Sequence, residues 1–106
     1  MTGEELRMIL RFNSIRNSQI QELANISASK LSKIFLRDDG TADVPDAIVN
    51  AVCMLLGENY RDDNYVKRKI EGMGKTFRDS IKDDYRRHID HSYIALHGGL
   101  YNDDYY

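Results

Sequence analysis

One proline and one cysteine in 106 residues set the first limits on this chain. A lone Cys53 has no partner for an internal disulfide, and its place in an apolar stretch reads as a small buried filler, not a reactive thiol. With Pro45 as the sole proline, little interrupts the helical spacing of apolar side chains, and an all-α fold follows. Long hydrophobic runs are also missing. The longest, residues 48–56, falls far short of the roughly 20 residues that a bilayer-spanning helix needs. Met1-Thr2-Gly3-Glu4-Glu5 lacks the basic start of a signal peptide, so a cytoplasmic protein with no membrane partner is expected. Catalytic motifs are lacking too: there is no phosphate-cradling glycine loop, no nucleophile elbow and no metal-protease signature. The paired aspartates Asp38-Asp39, Asp62-Asp63 and Asp83-Asp84 fall in loops or on helix surfaces, so no enzyme and no cofactor are expected.

Positive charge is scarce for a nucleic-acid binder. Fifteen Lys/Arg against seventeen Asp/Glu leave a formal charge of −2, whereas DNA-binding domains usually run basic. Local distribution matters more than the sum for phosphate contact. Residues 27–37 hold Lys30, Lys33 and Arg37 and no anion, while acidic residues gather at Glu4-Glu5 and between Asp38 and Asp46. The former pair suits the start of a helix, where the backbone dipole favours negative charge.

What is present is a well-patterned series of short helices, in a chain long enough for one core but not for two. Thr2 with Glu5 three residues on forms a capping-box pattern, opening a first helix from Glu4 to about Asn13 with Leu6, Ile9, Leu10 and Phe12 facing the core. Residues 17–35, NSQIQELANISASKLSKIF, read as two short helices around a tight turn. Ile20, Leu23 and Ala24 line the first, and Leu31, Ile34 and Phe35 the second. Asn25 suits the turn because asparagine enters left-handed φ/ψ at little cost. Ser27 suits the cap of the next helix, its hydroxyl accepting from the amide of Ser29 or Lys30.

At these residues the chain resembles the Cro and lambda-repressor-like (XRE-type) helix-turn-helix family, and the resemblance covers residues 1–59. The family's apolar slots are filled by Ile20, Ala24, Ile26, Leu31 and Ile34, and its turn glycine by Asn25. The slot after Ile20, where the family prefers alanine, holds Gln21. That predicts either a wider helix crossing or a side chain bent outward. A polar loop, Pro45 and an apolar stretch ending in Leu56-Gly57 continue the likeness into a fourth helix. The resemblance implies a lambda-repressor-like helix-turn-helix domain whose second helix enters the major groove of DNA. The base-facing positions it implies are Ala28, Ser29 and Lys33, with Lys30 and Ser32 nearer the backbone, Asn17 and Ser18 at a phosphate, and Ser27 and Arg37 completing the expected DNA-binding set. Arg7 and Arg11, one turn apart, suit either phosphate or a solvated face.

Residues 60–106 form a C-terminal helical extension beyond the resemblance. A helix over residues 59–72 is expected, with Asp62 or Asp63 at its start and Val66, Ile70 and Met73 on one face. Gly72 and Gly74 break the chain, and Thr76 with Asp79 predicts a capped helix over residues 76–97, roughly 22 residues or about 33 Å long. Its stripe of Phe77, Ile81, Tyr85, Ile89 and Leu96 is the expected homodimer seam. His88, His91 and His97 lack a third fixed ligand, so no metal site is expected. Residues 101–106, YNDDYY, are an aromatic-acidic tail suited either to a frayed end or to docking on a partner protein. Two functions compete: a dimeric transcriptional repressor on a palindromic operator in double-stranded DNA, or a helix-turn-helix-fold protein-interaction module such as an antitoxin or a phage-encoded inhibitor of a host factor.

Overall fold

Thr2 opens the first helix as the capping spacing predicts: its Oγ1 accepts from the Glu5 amide at 3.2 Å, and Glu5 Oε1 accepts from the Thr2 amide at 2.8 Å. In this computed structural model, which describes residues 1–83, helix α1 runs Gly3–Phe12, α2 Asn17–Ala24, α3 Ala28–Leu36, α4 Asp46–Leu56 and α5 Asp63–Glu71. Short 3-10 turns at Arg37–Gly40 and Glu58–Arg61 join them, and residues 75–83 are again helical. Among the described residues the only strand-like pairing is an isolated bridge between Thr2 and Asp43. No helix among them is long and apolar enough to cross a membrane.

One core runs through both residues 1–59 and the residues that follow them. Leu6, Ile9, Ile20, Leu31, Phe35, Ile48 and Val52 share it with Tyr60, Val66, Met73 and Ile81. Each fully buried aliphatic or aromatic side chain contributes about 1.5–3 kcal/mol of burial free energy, which holds these short helices where propensity alone could not. α1 lies against α3 and α5, and α2 sits between α3 and α4. Cys53 is a buried filler on α4, and its burial pushes the thiol above the usual range, with Arg61 opposing and Glu58 adding to the rise.

Two contacts join distant parts of the chain. Met1 is buried, and its α-amino group lies 2.7 Å from Asp63 Oδ1 at the start of α5 and 3.8 Å from Asp43 Oδ1. The Gly3 amide donates to the Ala42 carbonyl and the Val44 amide to the Met1 carbonyl, strapping residues 1–3 beside the loop that precedes α4. Gly3 also lets α1 meet the end of α3. A Cβ there would stand 2.7 Å from the Phe35 carbonyl oxygen, closer than a carbon can come.

Several expectations change. Phe12 is 54% exposed: it lies one turn beyond buried Met8, on a flank where its ring stacks edge-on against Phe77 at 5.5 Å. Leu23 is exposed, because α2 buries only Ile20 fully in its single pair of turns. The helix expected over residues 59–72 is split. Residues 58–61 form a 3-10 turn that drives Tyr60 into the core, and Asp62 then caps α5 by accepting from the Asn64 amide. Thr76 is no cap, since Gly74 at φ 85° opens the last helix and its carbonyl accepts from the Arg78 amide. Ile81 is 2% exposed, packed in its own chain's core, so it cannot face a partner there. Phe77 is half-buried beside Phe12, and the other seam residues, Tyr85, Ile89 and Leu96, lie outside the described residues, as do the three histidines.

Gly3→Ala should lower stability by about 1–3 kcal/mol, the usual cost of forcing atoms into a filled contact. Urea unfolding measures it, and a change within roughly 0.5 kcal/mol, the range of unremarkable surface substitutions, would mean that α1 can retreat from Phe35 freely. A second expectation concerns acid. The α-amino group donates to the Asp63 carboxyl and holds its pKa below the ordinary 3.8, chiefly through that hydrogen bond and then through charge. A depressed folded pKa gives stability that is complete above 3.8 and lost as pH falls through the lowered folded value. Asp63 is largely solvent-exposed, so the effect is limited to about 1 kcal/mol or less. Asp63→Asn should therefore be slightly less stable than the parent at neutral pH and equal to it at pH 2, and a gap that persists at pH 2 would contradict the assignment.

Candidate nucleic-acid interface

The two helices of residues 17–36 are set by their junction. Asn25 ends α2 in the left-handed region at φ 55°, ψ 53°, while the Ile26 amide donates back to the Gln21 carbonyl at 3.0 Å. Ser27 then caps α3, its Oγ accepting from the Lys30 amide at 3.1 Å. Ile26 is half-buried against the core. α3 buries Leu31 and Phe35 and turns Ala28, Ser29, Lys30, Lys33 and, past its end, Arg37 to solvent, with Ser32 half-buried at the margin. Lys30, Lys33 and Arg37 have no ion-pair partner among the described residues, and α3 itself carries no acid. The residues expected at base edges thus share one exposed helix face.

Beside that face lies a cleft of about 450 Å³ between α1, the start of α2 and α3. Leu10, Ile15, Leu31 and Phe35 give it apolar walls, and Arg7, Arg11 and Arg16 give it charge. Among the described residues its lining contains no Asp or Glu. Arg7 and Arg11 share a flank of α1 because they are one turn apart, and the Arg7 guanidinium carbon lies 5.7 Å from the centroid of the Phe35 ring. Asn17 and Ser18 line the same cleft at the first turn of α2. The residue capping that turn is Arg16, which offers no acceptor, and the one side-chain bond there runs the other way, from the Arg16 amide to Gln19 Oε1. The amides and partial positive charge at the start of α2 therefore face the same side as the arginines.

Gln21 is half-buried and lines this cleft together with Ala28, so its position borders open space beside α2 and α3. Arg16 is a cleft residue that pattern reading passed over, and Gln21, noted in the sequence only for its effect on the helix crossing, lines the cleft as well. Arg16 had a signal, since a cation directly before a helix start is unfavourable for the dipole and needs another reason. The loop after α3 is held by local chemistry: Asp38 and Asp39 are both left-handed, and Thr41 donates through Oγ1 and its amide to the Asp38 carbonyl. Comparison with protein-family models, curated proteins and solved structures found no match to this chain.

The junction can be tested directly. Asn25→Ala should lose about 1–2 kcal/mol, because a Cβ without a local polar partner is strained at positive φ, whereas Asn25→Gly should be tolerated. Thermal or urea unfolding of both variants decides it. Equal losses would mean that the asparagine amide, and not the backbone conformation, holds the turn.

Proposed function

We propose that this chain is a small sequence-specific DNA-binding transcriptional regulator of prokaryotic or phage type, a repressor that places α3 in the major groove of an operator. The observation that carries the reading is the exposed face of α3, with Lys30, Lys33 and Arg37, no acid, and an arginine-walled cleft sharing its first residue, Ala28. In this arrangement Lys33 donates to guanine O6 and N7, Ser29 donates or accepts at a neighbouring base, and the Ala28 methyl meets a thymine methyl. Lys30, Ser32, Arg37 and the first turn of α2 at Asn17 and Ser18 hold the phosphates on either side. Ser27 is occupied as a cap and contributes position, not readout.

Few cations per head mean modest affinity, so the reading includes a homodimer whose two heads meet half-sites about 34–36 Å apart. With Ile81 inside the core, the seam is left to residues beyond 83. A second reading, the protein-interaction module, is favoured by one observation: Met54 is 69% exposed on α4, next to partly exposed Leu55.

Selection of binding sites from a random duplex library with the full chain, followed by titration at two salt concentrations, tests the proposal. The expected result is a preferred site whose affinity falls as salt rises. Lys33→Ala should cost about 1–3 kcal/mol at that site and relax one base position, while Lys30→Ala should weaken all duplexes alike and lower the salt slope by about one. A selected sequence bound no tighter than random duplex at both salts would overturn the reading in favour of the second.

A further inference from the structure

A second cationic stretch lies on α5 and on the helix that follows it. Residues 67–83 hold Lys67, Arg68, Lys69, Lys75, Arg78 and Lys82 against Glu71, Asp79 and Asp83, an excess of positive charge in a chain whose formal charge is −2. Arg78 is half-buried and the other five cations are exposed. None of the six has an ion-pair partner among the described residues. The Lys69 ammonium lies 5.3 Å from the centroid of the Tyr65 ring, and Arg78 Nε donates to the Gly74 carbonyl at 3.3 Å. Helix electrostatics accounts for only part of this charge. Arg68 and Lys69 stand in the last turn of α5, where the dipole favours cations, but Lys75 opens the next helix and Arg78 closes its first turn, where the dipole opposes them. Lys75, Arg78 and Lys82, spaced three and four residues apart, form a stripe along one side of that helix. We propose that the end of α5 and the Lys75–Lys82 stripe are a second contact for the phosphate backbone of duplex DNA, one that adds affinity without reading sequence.

The surface offers charge and little else, and that decides the partner. Among residues 67–83, Met73 and Ile81 are buried, Ile70 is half-buried against the core and Phe77 is half-buried beside Phe12, so no large apolar side chain of this stretch stands exposed. A lipid surface needs an apolar face that inserts, and a protein partner needs an apolar or aromatic anchor at the centre of the contact. A phosphate backbone needs neither, because its binding comes from cations that displace condensed counterions. Lys75 and Lys82 are seven residues apart, about 10 Å along the helix axis, which is the axial rise of about three phosphates on one strand. Asp79 and Asp83 border the stripe and weaken its attraction, so the contact is tuned by them as well as by the cations. α1 packs against both α3 and α5, so one domain carries both surfaces. The inference goes beyond the function proposed above, since phosphate contact here does not require α3 to read bases.

The experiment titrates random-sequence duplex with the full chain at several salt concentrations. Arg68→Gln, Lys75→Gln and Lys82→Gln together should weaken binding at low salt roughly tenfold or more and lower the slope of log affinity against log salt by about three, roughly one per cation removed. All three positions are exposed, and the charge-keeping set Arg68→Lys, Lys75→Arg and Lys82→Arg, which should retain both affinity and slope, controls for disturbance of the fold. Asp79→Asn should strengthen binding. An unchanged slope in the glutamine variant, or an equal loss in the charge-keeping one, would overturn the proposal. So would binding of the full chain to phosphatidylserine-rich vesicles that depends on these cations while duplex binding does not. The ratio of selected-site to random-duplex affinity separates this surface from α3, and it should not change in the glutamine variant. No preferred site, with the slope still lowered by the three glutamines, would leave the second contact standing and overturn the sequence-specific function. A preferred site with an unchanged slope would do the reverse, and no binding of random duplex by the parent chain would overturn both.

Discussion

The Phe35 carbonyl stands where a side chain at Gly3 would begin, and the placement of α1 depends on that approach. With no Cβ in the way, the first turn of α1 closes on the last turn of α3. The strap from residues 1–3 to residues 42–44 then ties the same corner to the loop before α4, and the Met1 amino group ties it to α5. The space between α1 and α3, toward the start of α2, is the cleft walled by Arg7, Arg11 and Arg16. The close backbone contact and the charged opening thus lie between the same two helices.

Burial and exposure along α3 follow from the same geometry. Leu31 and Phe35 are held inward by α1 and α2, which leaves the residues between them in the helical repeat, Ser29, Lys30 and Lys33, no direction but outward. The junction sets where that face begins. Asn25 reverses the chain in a single left-handed residue, and Ser27 starts α3 two residues later, so α2 and α3 cannot drift in register without breaking a cap or a backbone bond.

Features decided within four residues were mostly legible in the sequence, the Thr76–Asp79 box being the exception because the last helix already begins after Gly74. The Thr2–Glu5 box, the left-handed Asn25, the Ser27 cap and the Asp62 start of α5 each depend on a side chain and a nearby amide, and each stands where its residue type predicts. Features decided by distant chain were not. Phe12 and Leu23 carry the right spacing for the core and lie at its edge, because helix period fixes a direction but not what stands there. Tyr60 reads as part of a helix, yet Gly57 at φ 118° and the 3-10 turn after it send the ring inward against Tyr65. The stripe at Phe77 and Ile81 reads as a dimer seam, and only the contact of Phe77 with Phe12 and the burial of Ile81 assign these two residues to their own chain's core and its edge. The cleft is the clearest case: its described lining residues come from three helices and a turn, a combination that no local pattern contains.

The formal charge of −2 poses less of a problem once the charges are placed. Asp63 and Asp43 face the α-amino group of Met1, and Glu58 holds Arg61, which also donates to Asn50. These acids serve the corner and the α4–α5 junction. Asp38 and Asp39 sit in a left-handed pair that few other side chains tolerate, so they are there for conformation as much as for charge. Screening confines exposed charges to about 8–10 Å at ordinary salt, a distance shorter than the width of a small domain. The acids at Met1 and at the α4–α5 junction are engaged there, Asp38 and Asp39 adjoin only the C-terminal end of α3, and the net charge of the whole chain is therefore a poor measure of the face that carries Lys30 and Lys33.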